Sequence, residues 1–486
     1  MTFVREIVRG TGQLSLAGVS ARLLSLVTVP ILSRLLAPEA YGVAALAGTV
    51  VSLATPISLL GIDMAYARFA LQGEQTQRRE VAVFCWRFAC AGGLATASAV
   101  GAGWYWWGSR WLPTEHVGIA IYTVAAILLS VAATMATTRA RLAGQYRRLA
   151  TATVAAALAA AIGSLAIVLL WRSDLWTLLL GGLAASLTMI LLLGLPPLSL
   201  LCQRCDLSSK QKYDILLLGI AGGITAPMFW VISVSDRWFL ARFASQTDLG
   251  VYSVASSVAL LGLMANSALT LVWFPEASRL YGEHGVDSLA SLGRLWQRIV
   301  VGLALIWVAV AAGGGDLLRL LTGPSFHAGA EVIPWLAGGV FFYGVAGLAN
   351  TGFFLRGRMG PVAVVWAVGA AASLCINFIL VPTHAALGAA VAQTASFAII
   401  ALCNILGSQR TLQISIDWPR IGLCLFLAMA AGVPLSWSWT SSSLLNLFLK
   451  APVFLLMAAL VLDIIAHDWV MRGWQSASRR LLQVTR

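Results

Sequence analysis

The chain has 486 residues, of which 59% are hydrophobic and 10% charged, with a mean hydropathy of +0.85 and a formal net charge of +13. Soluble globular domains run near 45–50% apolar and about 25% charged, so this composition excludes a soluble enzyme. The basic residues are scattered singly between apolar runs, which argues against a free nucleic-acid-binding domain.

A membrane helix takes about 20 apolar residues, so roughly 287 of them supply about 14 helices. The fold class expected is therefore all-α, a polytopic integral membrane protein. Apolar runs place its helices near residues 13–35, 41–62, 82–104, 117–138, 150–171, 175–201 and 214–240, then 249–273, 295–313, 332–354, 361–381, 387–407, 421–438 and 444–465. Leu14–Leu36 is too long for a leader's apolar core and has no A-x-A site, so it reads as the first permanent helix. Lys and Arg divide unevenly between alternate loops. One set, including Arg78, Arg79, Arg139, Arg141, Arg147 and Arg148, holds 23; the other holds 6. Positive charge accumulates on the cytoplasmic side, so both termini are expected there, in keeping with an even number of helices. Trp104–Trp107, Trp111, Trp437 and Trp439 crowd the opposite interface, as an aromatic belt does.

The chain repeats itself. Ser33–Val43 ends the first helix and opens the second, and Ala241–Val251 does the same for the seventh and eighth. Arg34 and Arg242 each precede a glycine, Gly42 and Gly250, by eight residues, and downstream Arg68 and Arg87 pair with Arg279 and Arg298. Six helices separate the copies, so both halves have the same orientation and are related by an axis along the membrane normal, the layout of transporters that rock one half against the other. The expected division is an N-terminal lobe of helices 1–6 (1–208), a C-terminal lobe of helices 7–12 (209–420), and helices 13–14 with a basic cytoplasmic tail (421–486).

A charge near the bilayer centre costs about 2.5–3.5 kcal/mol or more, which makes it a functional candidate. Arg22 lies about nine residues into the first helix, near 14 Å deep at 1.5 Å per residue. Its repeat counterpart is Trp230, so this charge belongs to one half only. Guanidinium grips phosphate in a bidentate fork; the other reading is an arginine paired with a carbonyl or acid inside the bundle. Arg87 and Arg298 sit one to two turns into helices three and nine, where they either snorkel or line the cytoplasmic mouth. Lys450 is expected to snorkel on the opposite side. Asp63 and Arg68 are candidates for a gate bridge, for partners on other helices, or for a solvated interfacial pair. Asp236 is a candidate to pair with Arg22 or Arg34, to couple protons, or to pair locally with an arginine. Arg34 and Arg242, at the outer rim, are gate candidates or simply terminate helices. Asn266, Asn377 and Gln393, with Asn350 and Asn404, either meet sugar hydroxyls or bond helices together. Pro30 and Pro227 are expected to let helices one and seven bend. The pair Cys202 and Cys205 stands alone and reads as loop thiols.

Several of these stretches carry a resemblance. Pro30–Gly42, Leu60–Arg68, Ser235–Arg242 with Gly250–Ser253, and Asn377–Pro382 with Leu387–Ala392 resemble the polysaccharide transporter family, within the superfamily (multidrug/oligosaccharidyl-lipid/polysaccharide) that also holds multidrug exporters and lipid II flippases. The resemblance spans roughly residues 5–407, and the extra helix pair is similar to that of lipid II flippases and some longer polysaccharide transporters. It implies a transporter, not an enzyme, in which two lobes in a V flip an undecaprenyl-diphosphate-linked oligosaccharide, the repeat unit of an exopolysaccharide or O-antigen, from the cytoplasmic to the periplasmic leaflet of the inner membrane. The implied partners are that lipid-linked oligosaccharide and membrane lipids, with a polysaccharide polymerase or export machinery as further candidates. No cofactor, metal or nucleic acid is implied. A multidrug exporter would want an acid-lined cavity that Arg22 opposes, and a lipid II flippase is poorly separated by sequence. A glycan polymerase would present catalytic residues on a large outer loop, and residues 314–331 offer only Asp316, Arg319, His327 and Glu331 in no recognisable arrangement.

Overall fold

A computed structural model describes residues 2–70, 75–108, 116–170, 174–196, 199, 203, 205–223 and 225–484, and every regular element among them is helical. The chain gathers into two compact units, Met1–Ser253 and Val254–Arg486.

In the first unit, α1 (Thr2–Leu35) carries Pro30 inside it. Pro38 stands in the first turn of α2 (Pro38–Leu59), where a missing N–H costs nothing. The turn out of α2 is sharp: Leu60 and Gly61 both take positive φ, 44° and 72°. Gly61 needs its lack of a side chain twice, for that φ and because a Cβ there would run into the backbone at Gly219 and Gly223. The chain continues through α3 (Ile62–Phe69), α4 (Gln75–Trp107), α5 (His116–Leu142), α6 (Tyr146–Leu170) and α7 (Leu175–Leu193). Asp174 caps α7 by accepting from the Trp176 N–H at 3.1 Å. At its far end Arg139 and Arg148 donate to the carbonyls of Leu193 (3.1 Å) and Leu192 (2.7 Å), cations on the negative end of the helix. Then come α8 (Ser209–Gly223), α9 (Thr225–Phe243) and α10 (Gln246–Ala259), within which the unit boundary falls. Leu59, Ile62, Tyr66, Trp86, Ile127, Met135, Leu149 and Ile215 form one buried core, so α8 packs with the N-terminal helices.

The second unit holds α11 (Leu261–His284), α12 (Leu289–Leu321), α13 (Ile333–Ala349), α14 (Thr351–Leu355), α15 (Gly360–Thr411), α16 (Trp418–Ser436) and α17 (Ser443–Val484). α15 contains two of the expected helices, because at Ala385 the backbone leaves the helical region (φ 42°, ψ −123°) just past Pro382. The last two helices dock on α12 through Val301, Leu305, Val308, Cys424, Ala428, Met457 and Val461. α17 runs on beyond the apolar stretch Ser443–Ile465 to Val484, over the residues read as a tail.

Twelve described stretches are long and apolar enough to cross a membrane. The all-α, multi-pass architecture is thus observed. Against about fourteen expected helices, α15 counts two as one, and the expected helix over 214–240 falls on α8 and α9, which are not among the twelve. Cys202 and Trp111 lie outside the described residues.

Candidate functional site

The repeat has a physical counterpart in the first unit, where α2 crosses α10. A Cβ added to Gly42 would strike the Gln246 carbonyl and lie 3.1 Å from the Gly250 nitrogen; one added to Gly250 would strike the Pro38 carbonyl and lie 3.1 Å from the Gly42 nitrogen. At the repeat offset of 208, Pro38 corresponds to Gln246 and Gly42 to Gly250. The contact is therefore reciprocal, as at the axis of a symmetric dimer. Thr247 Oγ1 donates to Glu39 Oε1 at 2.5 Å, again across 208 positions. Nearby, Trp238 Nε1 donates to Thr49 Oγ1 at 2.9 Å and fastens α9 to α2. The sequence pairs the two glycines but gives no sign that they touch.

Arg22 is exposed on α1, six residues inside the apolar stretch Leu16–Leu35, most of which is unburied. Its repeat counterpart Trp230 is half-buried. Arg34 is exposed and donates to the Pro30 carbonyl one turn back, at 3.3 Å, while Arg242 lies 5.5 Å over the Phe243 ring. Asp63 and Arg68 stand at opposite ends of the short α3, half-buried and exposed, and make no ion pair with each other. Arg87 is exposed and donates to the Gln203 carbonyl at 2.7 Å; Arg298 is exposed on α12.

Among the described residues of this unit, Asp236 is the buried charge, 1% exposed. Its carboxylate accepts from the Tyr252 hydroxyl and from the Arg237 backbone N–H at 2.8 Å, and the Arg237 guanidinium stands 3.5 Å away. The guanidinium also donates to the Ser233 carbonyl and lies 5.8 Å over the Tyr252 ring. The cluster ties α9 to α10, and Tyr252, which the sequence did not single out, is its keystone. Tyr252→Phe removes one hydrogen bond to a buried carboxylate and is expected to lower stability by about 1.5–3 kcal/mol. Unfolding in mild detergent checks this, and a loss under 0.5 kcal/mol would contradict the cluster.

In the second unit two of the amides join helices. Asn266 donates to the Val340 carbonyl at 2.7 Å and Asn404 to Ala346 at 3.3 Å, both on α13. Asn377, fully buried, donates to the Ser373 carbonyl on its own helix at 2.8 Å. Gln393 is half-buried. Lys450 corrects the expectation of a snorkelling side chain. It is buried, its Nζ 2.6 Å from Asp316 Oδ2 and donating to the Ala312 carbonyl at 3.0 Å. Asn446 Nδ2 donates to the other carboxylate oxygen at 3.0 Å, and Arg319 stands 3.9 Å from it.

Residues 7–281, more than half of the chain, match the model of a family described as polysaccharide biosynthesis protein. The chain belongs to that family. Among curated proteins none matches it in sequence. Solved structures with a similar fold include the lipid II flippase MurJ in an inward-closed conformation, with 12% identity and a TM-score of 0.69 over 94% of this chain and 99% of that one. An inward-facing multidrug resistance transporter of the MATE family has 16% identity and a TM-score of 0.60, covering 83% and 95%. A transporter of the same superfamily from Pyrococcus furiosus, for which a binding pocket of reversed polarity is described, has 15% identity and a TM-score of 0.55, covering 86% and 96%. The family member thus has the fold of this transporter superfamily.

Proposed function

We propose that the protein flips an undecaprenyl-diphosphate-linked oligosaccharide from the cytoplasmic to the periplasmic leaflet of the inner membrane by alternating access, with both termini cytoplasmic. The observation that carries this reading is Arg22, an exposed cation inside an apolar, membrane-length stretch of a polysaccharide-biosynthesis protein. Facing lipid, such a charge is penalised by about 2.5–3.5 kcal/mol or more. Facing a water-filled cavity, it avoids that penalty and offers a fork for diphosphate. Arg87 and Arg298 would receive the headgroup at the cytoplasmic mouth, and the crossing of α2 and α10, with Arg34 and Arg242 just before those helices, would form the outer gate. Asp63, Arg68 and Asp236 would hold the first unit's helices in register during the cycle.

The test is the amount of lipid-linked oligosaccharide on the cytoplasmic leaflet of a null strain re-expressing wild type or Arg22→Ala. Losing one charge-assisted phosphate contact predicts at least about a tenfold drop in clearance at normal membrane levels. A null strain that accumulates nothing would overturn the reading. A lipid II flippase is the second reading, favoured by the extent of likeness to the MurJ fold, 94% of this chain. Rescue of cells depleted of their own lipid II flippase would establish it instead.

A further inference from the structure

Between α5 and α7 lies an open groove of about 300 Å³, lined by Ser130, Thr134, Thr137 and Arg141 from α5 and by Ser186 and Met189 from α7. The α5 residues recur at helical spacing, so an apolar helix carries a polar stripe that ends in a guanidinium. Small residues, Ala133 and Ala185, leave the space open. Most of the hydroxyls are occupied: Thr134 donates to the Ser130 carbonyl at 2.8 Å, Ser186 bonds the Gly182 carbonyl, and Ser130 Oγ accepts from Thr55 at 3.1 Å. The side chains of Thr137 and Arg141 make no hydrogen bond or ion pair among the described residues.

The neighbouring arginines sharpen the contrast. Arg139 and Arg148 are spent on the carbonyls of Leu193 and Leu192 at the end of α7. The ends of α5 and α7 carry partial negative charge, about half a unit each, and Arg139, Arg141, Arg147 and Arg148 outweigh it. No acidic residue lines the groove. A volume at the lower end of the range for ligand sites suits a headgroup. Basic pockets between membrane helices on the positive side commonly hold anionic headgroups.

We infer that this groove is a binding site for the phosphate of a lipid headgroup, with Arg141 as its cation and Thr137 as a hydroxyl donor. The phosphate belongs either to an anionic bilayer lipid or to a polyprenyl diphosphate. The site is separate from Arg22, and its test does not depend on transport.

Phosphatidylglycerol and undecaprenyl diphosphate, each titrated into the detergent-solubilised full chain and counted by native mass spectrometry, provide the measurement. Arg141→Gln is expected to weaken binding of one or both at least about tenfold, Thr137→Val about threefold, and Arg141→Lys by less than Arg141→Gln. Arg147→Gln, at the start of α6 and outside the groove lining, is expected to bind as wild type. Dependence on Arg141 for phosphatidylglycerol alone identifies a bilayer lipid, and for undecaprenyl diphosphate alone a substrate headgroup. Arg141→Gln binding both as wild type does, or Arg147→Gln losing as much as Arg141→Gln, would overturn the site in favour of a diffuse basic surface.

Discussion

Lys450→Ala is expected to destabilise the protein by about 3–5 kcal/mol, the usual effect of removing one partner from a buried ion pair. The ammonium lies 2.6 Å from Asp316, and both side chains are almost wholly buried, 4% and 2% exposed. Without the lysine, Asp316 keeps Asn446 on one oxygen and Arg319 at 3.9 Å, but the other oxygen faces a void. Lys450 also donates to the Ala312 carbonyl, so the variant loses a second bond on the same helix. The double variant Lys450→Met with Asp316→Leu removes both charges and is expected to recover most of the loss, because apolar replacement of a whole buried pair is often neutral. Asn446 remains satisfied in that background through Thr440. Unfolding free energies in bicelles decide the matter; Lys450→Ala within 1 kcal/mol of wild type would mean that the pair does not hold α17 to α12.

Gly42→Ala and Gly250→Ala are expected to disable transport alike, each by more than tenfold, while lowering stability by only about 1–3 kcal/mol, the range for overpacking. A single methyl suffices at either position, because its path is blocked by backbone oxygen, Gln246 in one case and Pro38 in the other. Backbone cannot rotate aside as a side chain can, so the two helices must part. Equality of the two effects is what distinguishes this prediction from ordinary crowding, since the contact is reciprocal. Clearance of the lipid-linked intermediate provides the assay, and full activity in either variant would remove the crossing from the transport cycle.

The membrane helices are legible in the sequence because the signal is local, about 20 apolar residues in a row; their ends are less so, since the expected helix over 41–62 runs through the sharp turn at Leu60 and Gly61. A repeated spacing is also legible, since Arg34–Gly42 and Arg242–Gly250 preserve it. What lies across the fold is not. Lys450 looks like a snorkelling lysine because its partner, Asp316, is 134 positions away in a different helix. Asp236 is conspicuous as a lone acid, but Tyr252, its hydroxyl donor, is an ordinary aromatic in an apolar run. Arg141 reads as one more cytoplasmic charge until Arg139 and Arg148 are seen to be committed to carbonyls and it is not. Each of these depends on which side chains meet, and a periodic pattern specifies faces without specifying neighbours.

The bond between Thr247 and Glu39 bears on how the two copies of the repeat differ. Two residues 208 positions apart, equivalent in the repeated spacing, face one another, so in a pair of identical halves each position would oppose its own image. Two glutamates there would repel, and two threonines would gain only a neutral bond. The charge-assisted bond of 2.5 Å needs one of each, which two identical halves cannot supply and two unlike halves can. Divergence at this one position therefore turns a meeting of like residues into a lock between unlike partners.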